Sequence, residues 1–119
     1  SGASGIYYSM IFNRDEARVD FALGTRSKEA NKALFDHLCA RREQLEAEFG
    51  GALSWRRMDD KKVSLIECAA PFDGHNRENW PSMIEWLVDP VRKMEKVFDK
   101  EVPALRNLAR TQFSKEATA

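Results

Sequence analysis

The chain has 119 residues, 43% of them hydrophobic and 32% charged, and its 19 basic and 19 acidic side chains give a formal net charge of zero. This is the composition of a soluble globular domain with its own core, and no apolar run approaches the roughly 20 residues that span a bilayer. The balanced charge argues against nucleic-acid binding through bulk positive charge, although a local basic patch stays open.

The first residues and the cysteines predict a cytoplasmic location. Residues 1–5, "SGASG", lack the basic start and apolar stretch of a signal peptide, so we expect a flexible lead-in. Cys39 and Cys68 lie far apart and form no CxxC motif, which predicts small buried thiols in a reducing compartment. The sequence therefore predicts a single domain over residues 1–119, with no cofactor and no metal.

The first two elements are predicted strands. Ile6 to Phe12, "IYYSMIF", is rich in β-branched and aromatic residues, and Ala17 to Leu23, "ARVDFAL", alternates apolar with polar side chains. The intervening "NRDE" contains turn-forming residues and is short enough for an antiparallel hairpin. Arg18 and Asp20 would then lie on the polar face of this hairpin.

A long amphipathic helix is predicted after the hairpin. Ser27 can cap its start, and apolar residues recur at three-to-four spacing as far as Phe49. Gly50 and Gly51 then favour a left-handed helix end.

Arg42 is an unusual residue on this helix. It lies four residues after Leu38 and therefore close to the stripe that faces the sheet. Glu46, one turn further on, would form a structural ion pair with it at the edge of the core. The alternative is an arginine offered to an anionic ligand at the sheet edge.

A second hairpin is predicted from Leu53–Met58 and Lys62–Ala69. Asp59 and Asp60 occupy the connection, where a tight reversal favours side chains that tolerate positive φ and bond their own backbone. Trp55 lies beside a small basic cluster, which indicates either a solvated hairpin with one core tryptophan or a surface that stacks on a base or ring. The cluster consists of Arg56, Arg57, Lys61 and Lys62.

The remaining sequence predicts a second long helix and a short terminal one. Apolar residues from Trp80 to Phe98 recur at spacings of three and four. Pro90 falls off this seam, so we expect a kink or a break into two helices there. A weaker helix extends past Pro103, and the chain is expected to fray from Ser114 onward.

The second helix also predicts contact with another chain. Apolar residues beside its seam widen the apolar surface of this helix, so a second face of the helix is expected to pack against another element or chain. Either the terminal helix or a second copy of the chain would provide this contact, and a homodimer is the preferred hypothesis. The predicted interface residues are Met83, Trp86 and Val97.

The order of the elements, ββαββα, predicts a two-layer α+β domain in which two hairpins form an antiparallel sheet covered by two long helices. The polar face of the hairpins would serve a protein partner or an anionic ligand. The leading hypothesis is therefore a non-catalytic binding module without catalytic residues. Its candidate binding residues are Arg18, Asp20, Arg42, Glu46, Trp55, Arg57, Asp60 and Lys62.

Two other functions stay open. Asp60-x-Lys62 has the spacing with which metal-dependent nucleases hold a cation and position a water, and Asp20 would be a further ligand. Turn chemistry alone also accounts for this pair. The other alternative is a pocket for a small organic ligand between sheet and helices, lined by aromatic side chains that are more often core. These side chains are Tyr7, Phe21, Trp55 and Trp80.

Four stretches resemble one prokaryotic family, the domain of unknown function 4268: "DEARVDFAL", "NKALFDHL", "WRRMDDKK" and "WPSMIEWLVD". The resemblance implies an accessory domain in a nucleic-acid-related or defence setting, because the family often ends larger proteins whose first half is similar to a restriction-endonuclease-type nuclease. Arg56, Leu65 and Pro90 depart from the family pattern, and no nuclease-like half is expected here, so no catalytic role is implied. The matching positions are Arg18, Asn31, Lys32, Arg42, Glu46, Trp55, Arg57, Asp60, Lys61, Trp80 and Glu85.

Overall fold

The computed structural model describes residues 5–12, 16–71, 78 and 80–118. Within these residues the chain forms one antiparallel sheet of four strands and four α-helices, in the order ββααββαα. The strands are β1 (Ile6–Phe12), β2 (Glu16–Leu23), β3 (Ser54–Arg56) and β4 (Ser64–Pro71). The helices are α1 (Lys28–Cys39), α2 (Arg42–Phe49), α3 (Trp80–Phe98) and α4 (Val102–Thr118), with a 3-10 turn at Asp99–Glu101.

The sheet joins the two predicted hairpins through their second strands. Its order is β1-β2-β4-β3, so β2 and β4 lie in the middle and β1 and β3 form the edges. Asp20 of β2 lies opposite Glu67 of β4, and Trp55 of β3 lies opposite Ile66. Both hairpins and the α+β class are confirmed, while the predicted turn at residues 13–15 lies outside the described part of the chain.

The helices cover one face of the sheet, here called the inner face. Alternate residues of β2 point to it and are fully buried, as the period of two in a strand requires: Val19, Phe21 and Leu23. Helices α1 and α3 both pack against β2. Phe21 stacks on Phe98 of α3 with ring centroids 4.7 Å apart. The opposite face, here called the outer face, carries Arg18 and its neighbours.

The prediction of a single long helix after the first hairpin is wrong, because the chain forms two helices there, α1 and α2. Ser27 caps α1 as predicted, its Oγ accepting a hydrogen bond from Ala30 N at 3.1 Å. The apolar spacing fails at two consecutive arginines, and the first of them, Arg41, leaves helical geometry. Its Nη1 donates to Glu101 Oε1 at 2.6 Å. Gly50 ends α2 with a φ of 91°, the predicted left-handed cap.

The second hairpin is shorter than the sequence predicts. Strand β3 covers only Ser54–Arg56, and the reversal closes through Lys61 N, which donates to Met58 O at 2.9 Å. The positive φ, 54°, belongs to Met58 and to neither aspartate of the turn. The aspartates therefore lie in the reversal, as predicted, without being its left-handed residue.

The second long helix has the predicted extent, Trp80–Phe98, whereas the terminal helix is longer than predicted. Pro90 lies inside α3, which continues to Phe98 instead of dividing into two helices. Helix α4 is 17 residues long and packs against α1, so it is not the short terminal helix expected. Pro103 lies in its first turn, where the missing N–H would have no helical partner. None of the described helices combines the length and apolarity needed to cross a membrane.

Candidate functional site

The outer face of the sheet carries a group of charged side chains, here called the outer-face network. Arg18 is its centre: Nε donates to Asp20 Oδ1 at 2.8 Å, and Nη1 donates to Glu16 Oε1 at 3.1 Å. Nε also lies 3.2 Å from Glu67 Oε2 on β4. Arg56 of β3 donates to Glu67 Oε1 at 3.4 Å, so the network spans three strands.

The central carboxylates of this network are buried. Asp20 is 1% exposed and Glu67 is 5% exposed. Burial raises the pKa of Asp20, and the hydrogen bond from Arg18 offsets part of that rise. Glu67 Oε2 accepts no hydrogen bond from any described residue. Two guanidinium groups against three carboxylates leave one formal negative charge on the network.

Exposed side chains border the outer-face network on both sides. Tyr7 of β1 is 48% exposed and lies opposite Ala22, two pairs along the register from Ser9 and Asp20 and therefore on the same face. Arg56 is exposed at the β3 side. Tyrosine and arginine around a desolvated centre are typical of surfaces that bind other proteins.

A buried lysine on α1 holds the β3–β4 turn. Lys32 Nζ shares its three N–H groups among four oxygens: Arg57 O at 2.5 Å, Met58 O at 2.9 Å, Val63 O at 3.0 Å and Ser64 Oγ at 2.9 Å. Burial and the charge of Arg57 lower the pKa of Lys32. The ammonium group therefore acts as a structural centre for backbone carbonyls.

Asn31, the residue before it, bonds the same turn and the start of α1. Its Oδ1 accepts from Thr25 N at 2.8 Å and from Thr25 Oγ1 at 2.5 Å. Its Nδ2 donates to Thr25 O at 3.1 Å and to Lys62 O at 2.9 Å. We call Asn31 and Lys32 the hairpin-anchor pair, because together they fix the second hairpin to α1.

Glu46 of α2 holds the start of β3. Its Oε2 accepts from Leu53 N at 2.8 Å and from Trp55 Nε1 at 3.3 Å. The hydrogen bond from Leu53 lowers the pKa of Glu46, and the bond from Trp55 and the charge of Arg42 act in the same direction. Glu46 is thus turned toward β3 instead of forming the expected ion pair with Arg42, which is exposed.

Arg57 completes the attachment of this hairpin. Its Nε and Nη2 donate to the two carboxylate oxygens of Asp36 on α1, at 2.9 and 3.1 Å, and its Nη1 donates to Asp59. These hydrogen bonds, the one to Asp36 first, raise the pKa of Arg57. Several positions that match the family pattern, including Arg57, therefore serve the fold.

The three residues of the nuclease alternative do not come together. Asp20 lies opposite Glu67, and β4 begins three residues before Glu67, so about 10 Å of strand separates Asp20 from the β3–β4 turn. Asp60 and Lys62 are exposed in that turn, and an arginine already neutralises Asp20. The described residues contain no group of three or more His, Cys, Asp or Glu that could hold a metal ion.

The four aromatic residues proposed for a small-ligand pocket do not line one cavity. Tyr7 lies on the outer face, Phe21 is buried on the inner face, and Trp80 is exposed on α3. Trp55 packs edge to face on Phe35 at 6.1 Å. Two hollows in the described surface, about 390 and 620 Å³, have other linings, the larger formed by Arg26, Ser27, Lys28, Glu29 and Lys62.

The three predicted interface residues have different surroundings. Val97 is fully buried in the chain's own core and Trp86 is half-buried against that core, so Val97 is not available to a partner. The side chain of Met83 lies outside the described part of the structure. The exposed apolar residues of this helix are instead Trp80, Ile84 and Val88, here called the α3 stripe.

Comparison with known proteins identifies a family and gives no further relative. The model of the family described as domain of unknown function (DUF4268) matches residues 1–102 of the 119-residue chain. That range includes the outer-face network and the hairpin-anchor pair. No curated protein and no solved structure matches the chain.

Proposed function

We propose that this chain, which belongs to the DUF4268 family, is a non-catalytic binding module that presents the outer face of its sheet to a protein partner. The observation that supports the proposal is the outer-face network, whose charged side chains are held in one arrangement by their own ion pairs and are largely removed from water. Groups that are ordered before binding lose little conformational freedom on binding, so such a surface suits recognition.

The charge of the outer face favours a partner that brings hydrogen-bond donors. The network carries one formal negative charge, and Glu67 Oε2 lacks a hydrogen bond within the described residues. A lysine or an arginine of a partner segment would complement this net negative charge at the exposed rim of the network. An anionic ligand, the other partner considered from the sequence, would meet repulsion at this face. The proposed partner is therefore a protein segment rich in basic side chains.

Peptide titration followed by NMR tests this proposal. The ¹⁵N-labelled full chain is titrated with two short synthetic peptides, one alternating arginine and serine and the other alternating aspartate and serine. We expect the basic peptide to shift the backbone amides of β2 and β4 and the Nε–H signals of Arg18 and Arg56. The acidic peptide should leave these signals unchanged.

Two matched variants locate the binding surface. Tyr7→Ala removes an exposed aromatic side chain beside the network, and Trp80→Ala removes one of nearly equal exposure, 47% against 48%, on α3. Tyr7→Ala should weaken binding of the basic peptide by about tenfold, whereas Trp80→Ala should leave it unchanged. Equal effects of the two variants, or no shift on the outer face with either peptide, would refute the proposal.

The nuclease alternative has a separate test. A divalent-metal titration is followed by a plasmid-nicking assay on the wild-type chain and on Asp60→Ala. We expect no nicking above the metal-only control from either protein, because Asp60 and Asp20 do not share a site. Metal-dependent nicking by the wild type that disappears in Asp60→Ala would establish the nuclease instead.

A further inference from the structure

The outer edge of β1 is the least protected part of the sheet. Strand β1 is seven residues long, and "IYYSMIF" contains neither a charged residue nor a proline. No strand in the described part of the chain pairs with this edge. Soluble proteins usually protect edge strands with charges, prolines, bulges or very short length, because a free edge pairs readily with another chain.

The hydrogen bonds of the first hairpin determine which backbone groups face outward. Gly24 N donates to Gly5 O at 2.6 Å, and these two residues continue the β1–β2 register. Residues of an antiparallel pair alternate between bonded and non-bonded positions, so the odd-numbered residues of β1 bond to β2. The N–H and C=O groups of Tyr8 and Met10, at the middle of the strand, therefore point away from the sheet.

We propose that β1 pairs antiparallel with β1 of a second copy of the chain, about a twofold axis at Ser9, so that the two sheets form one sheet of eight strands. This register places Tyr8 opposite Met10 of the second copy, and both residues carry the outward backbone groups that the pairing needs. Tyr7 then lies opposite Ile11 of the second copy. Sulfur–aromatic and aromatic–β-branched neighbours both stabilise paired strands.

Several features favour a second copy over another extended segment. The pairs that flank the axis, Tyr8 with Met10 and Tyr7 with Ile11, each occur twice in the twofold arrangement, so one favourable contact is used twice. The strand contains no charge that would be brought against its own copy, and the whole chain has a formal net charge of zero. Electrostatic repulsion therefore does not oppose the pairing.

The C-terminal end of α3 lies beside β1. Tyr8 OH donates to Asp99 Oδ1 at 2.6 Å, just beyond the end of α3. Burial and this hydrogen bond raise the pKa of Tyr8, and the charge of Glu95 adds to the rise, so Glu95 is on the β1 side of α3. Val88 lies seven residues before Glu95 and therefore on the same flank. Met10 itself is 59% exposed on β1.

Sedimentation of the wild-type chain and of Met10→Pro tests the pairing. The wild type should form a particle of twice the 13.6 kDa chain mass. Proline at position 10 removes an N–H that points outward, so the β1–β2 bonds are kept, and proline is tolerated on edge strands for this reason. Met10→Pro should raise the dimer dissociation constant at least about tenfold.

Cross-linking tests the register without relying on that variant. Ser9→Cys is made in a chain with Cys39→Ala and Cys68→Ala, and Ser54→Cys on the other edge strand is the matched control. Residues facing each other on the axis have Cα atoms about 4.5 Å apart, within the range of a disulfide. Mild oxidation should therefore give a covalent dimer of Ser9→Cys and not of Ser54→Cys.

The outcomes separate this proposal from the binding function of the outer face. A wild-type chain that sediments as a monomer at every concentration, or a dimer that forms no disulfide through Ser9→Cys, overturns the pairing of β1. Either result leaves the peptide titration of the outer face to be judged on its own. A dimer that cross-links through Ser54→Cys instead would place the interface at β3 and also overturn the proposal.

Discussion

The two edges of the sheet are protected in opposite ways. Strand β3 has three residues, and side chains from the helices bond the backbone on both sides of it: Glu46 accepts from Leu53 N before the strand, and Lys32 donates to the carbonyls after it. Strand β1 has seven residues, carries no charge and exposes Met10. Side chains of the chain itself bond the backbone on both sides of β3, whereas no described strand pairs with the outer edge of β1.

This difference between the two edges predicts which substitutions reduce the stability of the fold and which reduce association with another chain. The backbone around β3 is bonded by buried polar side chains, so changes to those side chains leave buried groups unsatisfied and reduce stability. No described strand pairs with the outer edge of β1, so changes at the exposed Met10 should affect association far more than folding. The predictions that follow are arranged from the largest effect on unfolding to the smallest.

The largest effect is expected for Lys32→Met. The substitution keeps the length of the side chain but removes one donor from each of four oxygens around the turn, three of them backbone carbonyls. Of these, Arg57 O still accepts a hydrogen bond from Ser64 Oγ at 2.8 Å. We expect the free energy of unfolding to fall by about 3 kcal/mol, measured by urea denaturation. Lys28→Met, on the exposed side of the same helix, is the control and should change it little. Equal losses for both variants would show that Lys32 is not an anchor.

Asn31→Ala should have a smaller but clear effect. Asn31 is fully buried, and its amide bonds both Thr25 and Lys62 O, so alanine leaves several polar groups without partners. We expect a loss of about 2 kcal/mol in the same assay. Asn107→Ala, on the exposed surface of α4, is the control. Because Asn31 and Lys32 anchor one turn, the double variant should lose less than the two single losses added together.

Glu46→Gln should change stability in a way that depends on pH. The ordinary pKa of glutamate is about 4.3, and in the fold the pKa of Glu46 is lowered, first by the hydrogen bond from Leu53. The ionised form therefore stabilises the fold above about pH 4.3, and this contribution is lost as the pH falls through the lower pKa of the folded state. The wild type should be more stable than the variant at pH 7, and the difference should shrink as the pH falls below about 4.3.

Urea denaturation at several pH values measures this difference. Glu43→Gln, exposed on the same helix, serves as the control and should show no such pH dependence. A gap between wild type and Glu46→Gln that persists unchanged at pH 3 would mean that the charge of Glu46 plays no part in holding β3.

The sequence predicted the hairpins well because their signals are local. Alternating side chains and short connections specify which strands pair, and Ser27 and Gly50 were identified as caps by residue type. The break between α1 and α2 was missed, although the absence of an apolar residue at Arg41 was visible. What holds the break is the bond from Arg41 to Glu101, which is 60 residues away and depends on how α1 and the last helices pack.

The candidate site was predicted only in part, for the same reason. Arg18 and Asp20 lie two apart on one strand, so their shared face follows from the period of two. Glu67 joins them only because β2 pairs with β4 across two intervening helices, and no local pattern gives that register. Trp55 and Glu46 were both selected, but their mutual bond depends on the turn at Gly50. The local sequence pattern therefore identified several residues of the candidate site, but it could not predict which residues they contact.

The smallest effect on unfolding is expected for Met10→Lys on β1. Trp55→Lys, at the equivalent position of β3, allows the two edges to be compared. Met10 and Trp55 both point to the inner face from an edge strand, Met10 opposite Val19 and Trp55 opposite Ile66. Met10 is exposed, so at low protein concentration lysine should change the free energy of unfolding by less than about 0.5 kcal/mol. Trp55→Lys loses the contact with the aromatic ring of α1 and should cost about 3 kcal/mol.

The dependence of the unfolding temperature on protein concentration then shows whether β1 pairs with a second copy or is an ordinary exposed strand. Unfolding of a dimer is opposed by mass action, so the midpoint temperature of the wild type should rise with concentration if β1 pairs with its own copy. Met10→Lys weakens that pairing without weakening the monomer, so its midpoint should stay nearly constant over the same range. Parallel behaviour of wild type and variant would mean that β1 is an ordinary exposed strand, and the contrast between the two edges would then concern solubility alone.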